Sequence, residues 1–199
     1  MVNDQDNTID NIMNVGNDTR VRDDERGIEA HTHVEYMCNR ASKKIWQLRR
    51  MRILDLEPEI LLDFYQKEIR SILEFGVACW NSGVTSKLSE RIERVQKICV
   101  SIILCDSEWN IPYFVGCTLL GIEPLAYRRS DLCIRFVQKA CQDPRNGDLF
   151  SKNANNCYTR QEKPPYKEHP YRTDRFFKSP LCYLTRLLNL YPPSGKKNG

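Results

Sequence analysis

The chain has 199 residues, which is enough for one domain of ordinary size with flexible ends but not for two. Its mean hydropathy of -0.56 and its 28% of charged residues are typical of a soluble protein, and the apolar stretch 98–105 is far too short to span a bilayer. Residues 1–30 lack the basic start and apolar core of a secretory signal, so we expect a cytoplasmic or nuclear protein with reduced thiols and no membrane partner.

Charge is divided unevenly along the chain. Residues 1–30 carry eight acidic residues and three arginines, a net of −5, and since the whole chain carries +4, residues 31–199 hold +9. The acidic segment has almost no aromatic residues and cannot bury enough surface to fold, so we predict a disordered tail over 1–30. The basic remainder favours a polyanionic partner.

The nine cysteines and three histidines form no metal-binding pattern. No two cysteines have the C-x2-C or C-x4-C spacing, and His31, His33 and His169 are not spaced as zinc ligands. We therefore expect no metal and no cofactor. The cysteines are predicted to act as small buried apolar residues, and four of them fall on apolar helix faces: Cys38, Cys79, Cys99 and Cys133.

The first predicted helix covers residues 33–52. Its apolar residues recur at steps of four and three, which is one stripe of a helix: Val34, Cys38, Ala41, Ile45 and Leu48. The opposite side, within about a third of a turn at 100° per residue, is polar and strongly basic: Arg40, Lys43, Lys44, Gln47 and Arg50. The pattern predicts an amphipathic helix with a basic outer face.

The second predicted helix begins at Pro58, a first-turn proline preceded by Glu57. Over residues 75–80 it becomes apolar on nearly every side, which is typical of a helix surrounded by protein. We expect residues 70–80 to be among the most buried parts of the fold, including Leu73, Phe75 and Ala78. A turn at residues 81–83 ends it.

The third predicted helix begins near Thr85 or Ser86, either of which can cap it. Its apolar stripe is formed by six residues: Leu88, Ile92, Val95, Cys99, Ile102 and Ile103. Basic residues follow its other side: Lys87, Arg91, Arg94 and Lys97. Glu90 and Glu93 dilute that charge.

Two more helices complete the predicted body of the protein. A short helix over 112–120 stops at Gly121, and a long helix opens at Pro124 and ends at Asp143-Pro144. The long helix is expected to direct six residues inward: Leu125, Leu132, Cys133, Phe136, Val137 and Ala140.

The C-terminal part has a different character. Residues 146–178 are rich in Asn, Pro, Tyr and charge and predict an irregular arm, while Ser179-Pro180 caps a short docked helix over 179–191 and 192–199 is a disordered end. No strand pattern persists beyond a few residues. We predict an all-α protein: a compact bundle of four to five helices over 31–145, with the arm and the short helix following it.

Catalytic signatures are missing from the sequence. It contains no Walker-type loop, no G-x-G-x-x-G, no G-x-S-x-G and no H-E-x-x-H. The adjacent pair Asp23-Asp24 lies in the charged run RVRDDERG and reads as solvated rather than metal-binding. We therefore expect no enzyme activity.

Five segments together resemble the end of non-LTR (LINE-type) retrotransposon reverse transcriptases, the region that follows the polymerase palm. They are HTHVEYMCNRASKKIWQLRRMR, FYQKEIRSILEFGVACWN, LSERIERVQKICVSII, LLGIEPLAYRRSDLCIRFVQKA and YRTDRFFKSPLCYLTRLLN, in the expected order over about residues 31–190. The first two helices also resemble a short helical region of AlkB-type alkylated-DNA-repair homologues. The resemblance implies a thumb-like helical segment that grips template and product, and no catalytic residue can be carried over.

The functional expectation combines this resemblance with the basic body. It is weak, sequence-tolerant binding of an RNA or DNA backbone through eight residues: Arg40, Lys43, Lys44, Arg50, Arg52, Arg91, Arg94 and Lys97. Four aromatic residues either stack on bases or pack within the protein: Trp46, Tyr127, Tyr171 and Phe176. The alternatives are a helical protein-interaction module, in which the basic face is only solvated, or a relic without a selected role.

A structural pair is also predicted between Glu68 and Arg129. Each falls within the apolar arc of its helix, and a buried charge requires a partner. The alternative is that Arg129 extends along its own stem to solvent.

Overall fold

The computed structural model describes residues 25–105, 110–146, 148–153 and 164–193. Apart from one isolated antiparallel bridge between Lys152 and Tyr166, the regular structure in these residues is helical, so the prediction of an all-α protein is confirmed. The helices are α1 (Glu25–Ile53), α2 (58–74), α3 (Val77–Trp80), α4 (Ser86–Leu104), α5 (Tyr113–Leu119), α6 (Leu125–Ala140), α7 (Asp174–Phe177) and α8 (Pro180–Leu190). The 3-10 turns Asn81–Gly83 and Pro144–Asn146 follow α3 and α6.

Helix α1 begins earlier than the sequence indicates. It starts at Glu25, so the predicted disordered tail is wrong for residues 25–30. Ala30 is buried one turn before Val34 and extends the apolar stripe towards the N-terminus, which explains why the helix continues there. Residues 1–24 of the predicted tail, and 194–199 of the predicted disordered end, lie outside the described residues.

Helices α1 and α4 lie side by side and run in the same direction. Glu35, in the first half of α1, pairs with Arg91 in the first half of α4, and Arg52 at the end of α1 meets Cys105 at the end of α4. Helix α2 makes this parallel arrangement possible because it carries the chain back along α1, where Glu68 reaches Lys44. The α1 stripe and most of the α4 stripe are buried as predicted, and the two helices pack against each other: Val34, Cys38, Ala41, Ile45, Leu48, Leu88, Ile92, Val95, Cys99 and Ile103.

Helix α2 is not uniform. Pro58 occupies its first turn after Glu57, as predicted. The segment Tyr65–Arg70 is a π-helix between the α-helical parts Pro58–Phe64 and Ser71–Glu74. Its wider turns rotate the residues that follow relative to an ideal α-helix. Tyr65 and Ile69 within this segment face the core.

The chain breaks helix at Phe75 and Gly76. Gly76 has φ +63°, in the left-handed region, and α3 starts immediately after it. Leu73 and Ala78 are buried as predicted, but Phe75 is 76% exposed, so its predicted burial is wrong. The turn directs the Phe75 ring outward while its carbonyl accepts a hydrogen bond from Trp80 Nε1 at 2.8 Å. It also leaves Cys79 exposed rather than inward.

The starts of α4, α5 and α6 agree with the sequence. Thr85 caps α4, its hydroxyl accepting from the Leu88 N–H at 3.4 Å. Gly121 ends the α5 turn with φ +62°, and Pro124 precedes α6. In α6 the predicted inward position of Phe136 is wrong, since its ring is half exposed, whereas Leu125, Cys133 and Val137 are buried.

The C-terminal helix packs along α6. Tyr183 lies beside Cys133, and the Gln138 amide donates to the Tyr191 carbonyl at 3.0 Å, so α8 runs parallel to α6. Leu184 and Leu188 are buried, which confirms the predicted docked helix. Within the predicted irregular arm, α7 forms, and Phe150 and Tyr166 are buried in the core.

We expect Gly76→Ala to lower the free energy of unfolding by about 1–2 kcal/mol, because an L side chain is strained at this positive φ. A Cβ at this position would meet nothing within 4 Å, so backbone strain is the whole effect. Urea denaturation measures it. Gly76→Asn is the control and should cost less, since asparagine tolerates this region. An alanine variant as stable as the parent would contradict the left-handed turn.

Candidate nucleic-acid interface and the α4–α6 pocket

Three of the predicted basic residues share an exposed side of α1. Arg40, Lys43 and Arg50 are exposed, and no ion pair joins them to a carboxylate among the described residues. We call these three residues, with Tyr36 and Trp46, the α1 outer face. Its cations are available to an external anion.

Aromatic rings alternate with cations along the α1 outer face. The Arg40 guanidinium lies 5.7 Å from the centre of the Tyr36 ring, and that of Arg50 lies 5.5 Å from the Trp46 ring. Both rings are more than half exposed, at 58% and 62%. Each pair is four residues apart, the spacing at which helical side chains meet. Tyr36 was not among the predicted site residues, although its spacing from Arg40 signals the contact.

Two other predicted residues already have partners within the protein. Lys44 Nζ lies 2.8 Å from Glu68 Oε2, and Arg91 Nη1 lies 2.9 Å from Glu35 Oε1. These bridges join α1 to α2 and to α4. A cation beside a carboxylate attracts phosphate less strongly, because its charge is largely compensated.

The remaining three predicted residues are elsewhere. Arg52 lies at the end of α1, where a hydrogen bond with the Cys105 thiol raises the Arg52 pKa. Arg94 and Lys97 line a pocket between α4, α5 and α6. The structure therefore divides the eight predicted residues into the α1 outer face, two bridges, a helix end and a pocket wall.

The predicted aromatic set is also divided. Trp46 belongs to the α1 outer face and Tyr127 is exposed on α6. Tyr171 packs on Phe177 at 4.7 Å between ring centres, and Phe176 lies on α7. Only Trp46 of these four is paired with a predicted basic residue.

The predicted pair between Glu68 and Arg129 is wrong. Glu68 pairs instead with Lys44, because it lies within the π-helix, where an ideal helical wheel assigns the wrong side. Arg129 does not extend to solvent either, since it is only 3% exposed. Burial lowers the pKa of its guanidinium.

Arg129 is held by a hydroxyl and an aromatic ring. Its Nη2 donates to Ser89 Oγ at 2.6 Å, and its guanidinium carbon lies 6.0 Å from the centre of the Trp80 ring. Its Nε and Nη1 groups are buried and find no hydrogen-bond acceptor among the described residues. A buried charge with most of its donors unpaired is unusual in a folded protein.

The pocket that Arg129 lines has a volume of about 750 Å³. It is bordered by the first turns of α4, by Tyr113 of α5 and by the start of α6. Its other lining residues include Ser86, Ser89, Glu90, Glu93, Arg94 and Lys97. The lining is therefore polar and carries both signs of charge.

Glu93 organises one wall of the pocket. Its carboxylate accepts hydrogen bonds from the Tyr113 hydroxyl and from the N–H groups of Leu125, at 3.2 Å, and Ala126. These N–H groups belong to the first turn of α6, whose N-cap Pro124 has no side-chain cap. Burial, reinforced by the hydrogen bond to Glu93, raises the pKa of Tyr113.

In the residues that the structure describes, no group of three or more His, Cys, Asp and Glu side chains could hold a metal ion. No helix in this part of the chain is long and apolar enough to cross a membrane.

Comparisons with known proteins add no relatives: no family model, no curated protein and no solved structure matches the chain.

We expect Glu93→Gln to lower the free energy of unfolding by about 1.5–3 kcal/mol, the range for hydrogen bonds to a charged group. The amide keeps one acceptor oxygen but loses the charge that three donors share. Glu90→Gln is a matched control one turn away on α4, and as an exposed position it should change stability by less than about 0.5 kcal/mol. Equal urea midpoints for the two variants would contradict the capping role.

We expect iodoacetamide to label the exposed Cys79 and Cys105 well before Cys38 and Cys133. Burial raises the pKa of Cys38 and of Cys133 from 9.0 to about 11 in the folded protein. In the unfolded chain these two thiols lose their protons at a lower pH than in the folded protein. The stability that the two protonated thiols contribute is therefore full below about pH 9 and is lost as the pH rises to about 11. Mass spectrometry after partial labelling checks the order, and equal labelling of all four would contradict it.

Proposed function

We propose that the protein binds single-stranded or duplex nucleic acid weakly and without sequence preference, through the α1 outer face. The observation that carries this proposal is a set of three cations, without a carboxylate partner among the described residues, interspersed with two exposed aromatic rings on one side of α1. Cations neutralise backbone phosphates, and aromatic rings stack on bases of any sequence. The net charge of +9 on residues 31–199 supports the same partner class.

The proposed role follows from the resemblance to the region after the palm of LINE-type reverse transcriptases. In such polymerases a thumb-like segment grips template and product by their backbones. In this proposal the helical segment supplies grip and no chemistry, and it is expected to show no polymerase, nuclease, dioxygenase or methyltransferase activity by itself. A cytoplasmic or nuclear location belongs to the same proposal.

The expected affinity is that of non-specific binding, with a Kd of about 10⁻⁴–10⁻⁶ M at physiological salt. Each neutralised phosphate of a duplex contributes about −0.9 to the slope of log affinity against log salt concentration. Three cations on the α1 outer face therefore predict a slope of about −3. Stacking on Tyr36 and Trp46 favours single strands, whose bases are free to stack.

The test is the triple variant Arg40→Glu/Lys43→Glu/Arg50→Glu, titrated with labelled RNA and DNA at two salt concentrations. We expect its affinity to fall by at least about tenfold and its salt slope to become shallower, because phosphates now face three carboxylates. Fluorescence anisotropy measures both.

A matched control distinguishes the effect of the α1 outer face from the effect of net charge. Lys87→Glu/Lys139→Glu/Lys178→Glu changes the chain by the same charge at three exposed positions on other elements. It should bind within about threefold of the parent, because charges beyond about 10 Å are screened at 0.1 M salt. Equal losses in the two variants would show an effect of net charge alone and contradict the assignment to α1.

A protein-interaction module is the second candidate. Helix α5 exposes Phe114, Val115 and Leu119, an apolar surface of the kind that partner helices cover. If the α1 triple variant binds nucleic acid as the parent does, the basic face is a solvated surface and this second candidate is favoured. The substitution of Phe114 and Leu119 by serine would then abolish partner binding without changing any nucleic-acid affinity.

A further inference from the structure

Arg129 is a buried cation that forms no salt bridge with a carboxylate among the described residues. It is 3% exposed, and the groups that act on its charge most strongly are Glu93, Cys133, Tyr183 and Cys38. Burial raises the pKa of Cys38, Cys133 and Tyr183, so they are neutral at physiological pH. Only Glu93 is left as a counter-charge among these groups. Buried charges are normally paired.

Glu93 is already committed to other donors. Its carboxylate accepts from Tyr113, Leu125 and Ala126, and no hydrogen bond joins it to Arg129 among the described residues. The contact of Arg129 with Ser89 satisfies one N–H group and supplies no negative charge. The guanidinium therefore has one neutral hydrogen-bond acceptor and no direct contact with a carboxylate, and Arg129 lines a pocket that an anion from outside the chain can enter.

The pocket offers further groups that suit an anion. Arg94 lies on its wall, so two arginines, Arg94 and Arg129, line it together with Glu90 and Glu93. Thr85 and Ser86, at the N-terminal end of the 19-residue helix α4, also line it. A helix N-terminus adds a partial positive charge. A volume of about 750 Å³ accommodates a nucleotide-sized molecule.

We infer that the pocket between α4, α5 and α6 binds a phosphate group, with Arg129 and Arg94, which both line it, as the cations that hold it. The phosphate belongs either to a free nucleotide or to the end of a nucleic-acid strand. This site uses none of the residues of the α1 outer face and does not depend on the proposed function.

The test titrates the full chain with inorganic phosphate, adenosine 5′-monophosphate and adenosine at constant ionic strength, with calorimetry and the Tm as readouts. Phosphate and the nucleotide should bind and raise the Tm, and adenosine should not. Arg94→Gln, at an exposed position, should weaken binding about tenfold, and Arg129→Met should abolish it. Arg135→Gln is the control: it removes an exposed arginine of α6 that does not line the pocket, and it should bind like the parent.

Two results would overturn this assignment: no binding of phosphate or nucleotide by the parent chain, or unchanged binding by both the Arg94 and Arg129 variants. If Arg129→Met does not fold, the Arg94→Gln result decides. The Arg40→Glu/Lys43→Glu/Arg50→Glu variant should retain phosphate binding, which separates a failure of this site from a failure at α1. The affinities for short strands with a 5′-phosphate and with a 5′-hydroxyl identify the source of the phosphate. If the parent binds the phosphorylated strand more tightly and Arg94→Gln removes this difference, the site binds the end of a strand. If the parent binds both strands equally, the site binds a free nucleotide.

Discussion

The Glu93 carboxylate is the contact on which the arrangement of α4, α5 and α6 depends. It lies in the middle of α4 and receives hydrogen bonds from the Tyr113 hydroxyl of α5 and from two N–H groups at the start of α6. The first N–H groups of a helix need external acceptors, and the residue before α6 is a proline without a side-chain acceptor. The carboxylate provides both the acceptor and a charge that suits the helix dipole. Because this contact fixes where α6 begins, it also brings Arg129, one turn later, against Ser89.

The parts of the fold that the sequence predicts well are those that depend on local geometry alone. The stripe Val34 to Leu48 follows ideal α-helical spacing and is buried throughout, and Ser179 and Thr85 cap the helices that follow them. The predictions for Phe75 and Glu68 are wrong for the opposite reason. Glu68 lies within a π-helix and Phe75 directly precedes a left-handed glycine, so an ideal α-helical wheel does not give their orientation. Neither feature is visible in the hydrophobic pattern.

The candidate site was less predictable, because a helical wheel shows which side a cation is on but not what faces it. Lys44 and Arg91 have the same spacing signal as Lys43, yet each meets a glutamate from another part of the fold. Such pairings arise when α2 returns along α1 and α4 runs parallel to it. Arg129 shows the same limit: the pattern places it in an apolar arc but does not decide between burial and extension to solvent, and its contacts come from α3 and α4, which lie 40 or more residues away in sequence.

The availability of a cation, rather than its position on a basic face, therefore determines what it can bind. A lysine beside a carboxylate mainly joins two helices, and as an exposed pair it contributes at most about 1 kcal/mol. An exposed arginine over an aromatic ring keeps its charge for a solution partner and presents a flat surface with it. A buried arginine without a salt bridge differs from both, since low polarity around it strengthens its attraction for any anion that reaches it. The same net charge of +9 on residues 31–199 thus contains cations with three different physical roles, and only the folded arrangement distinguishes them.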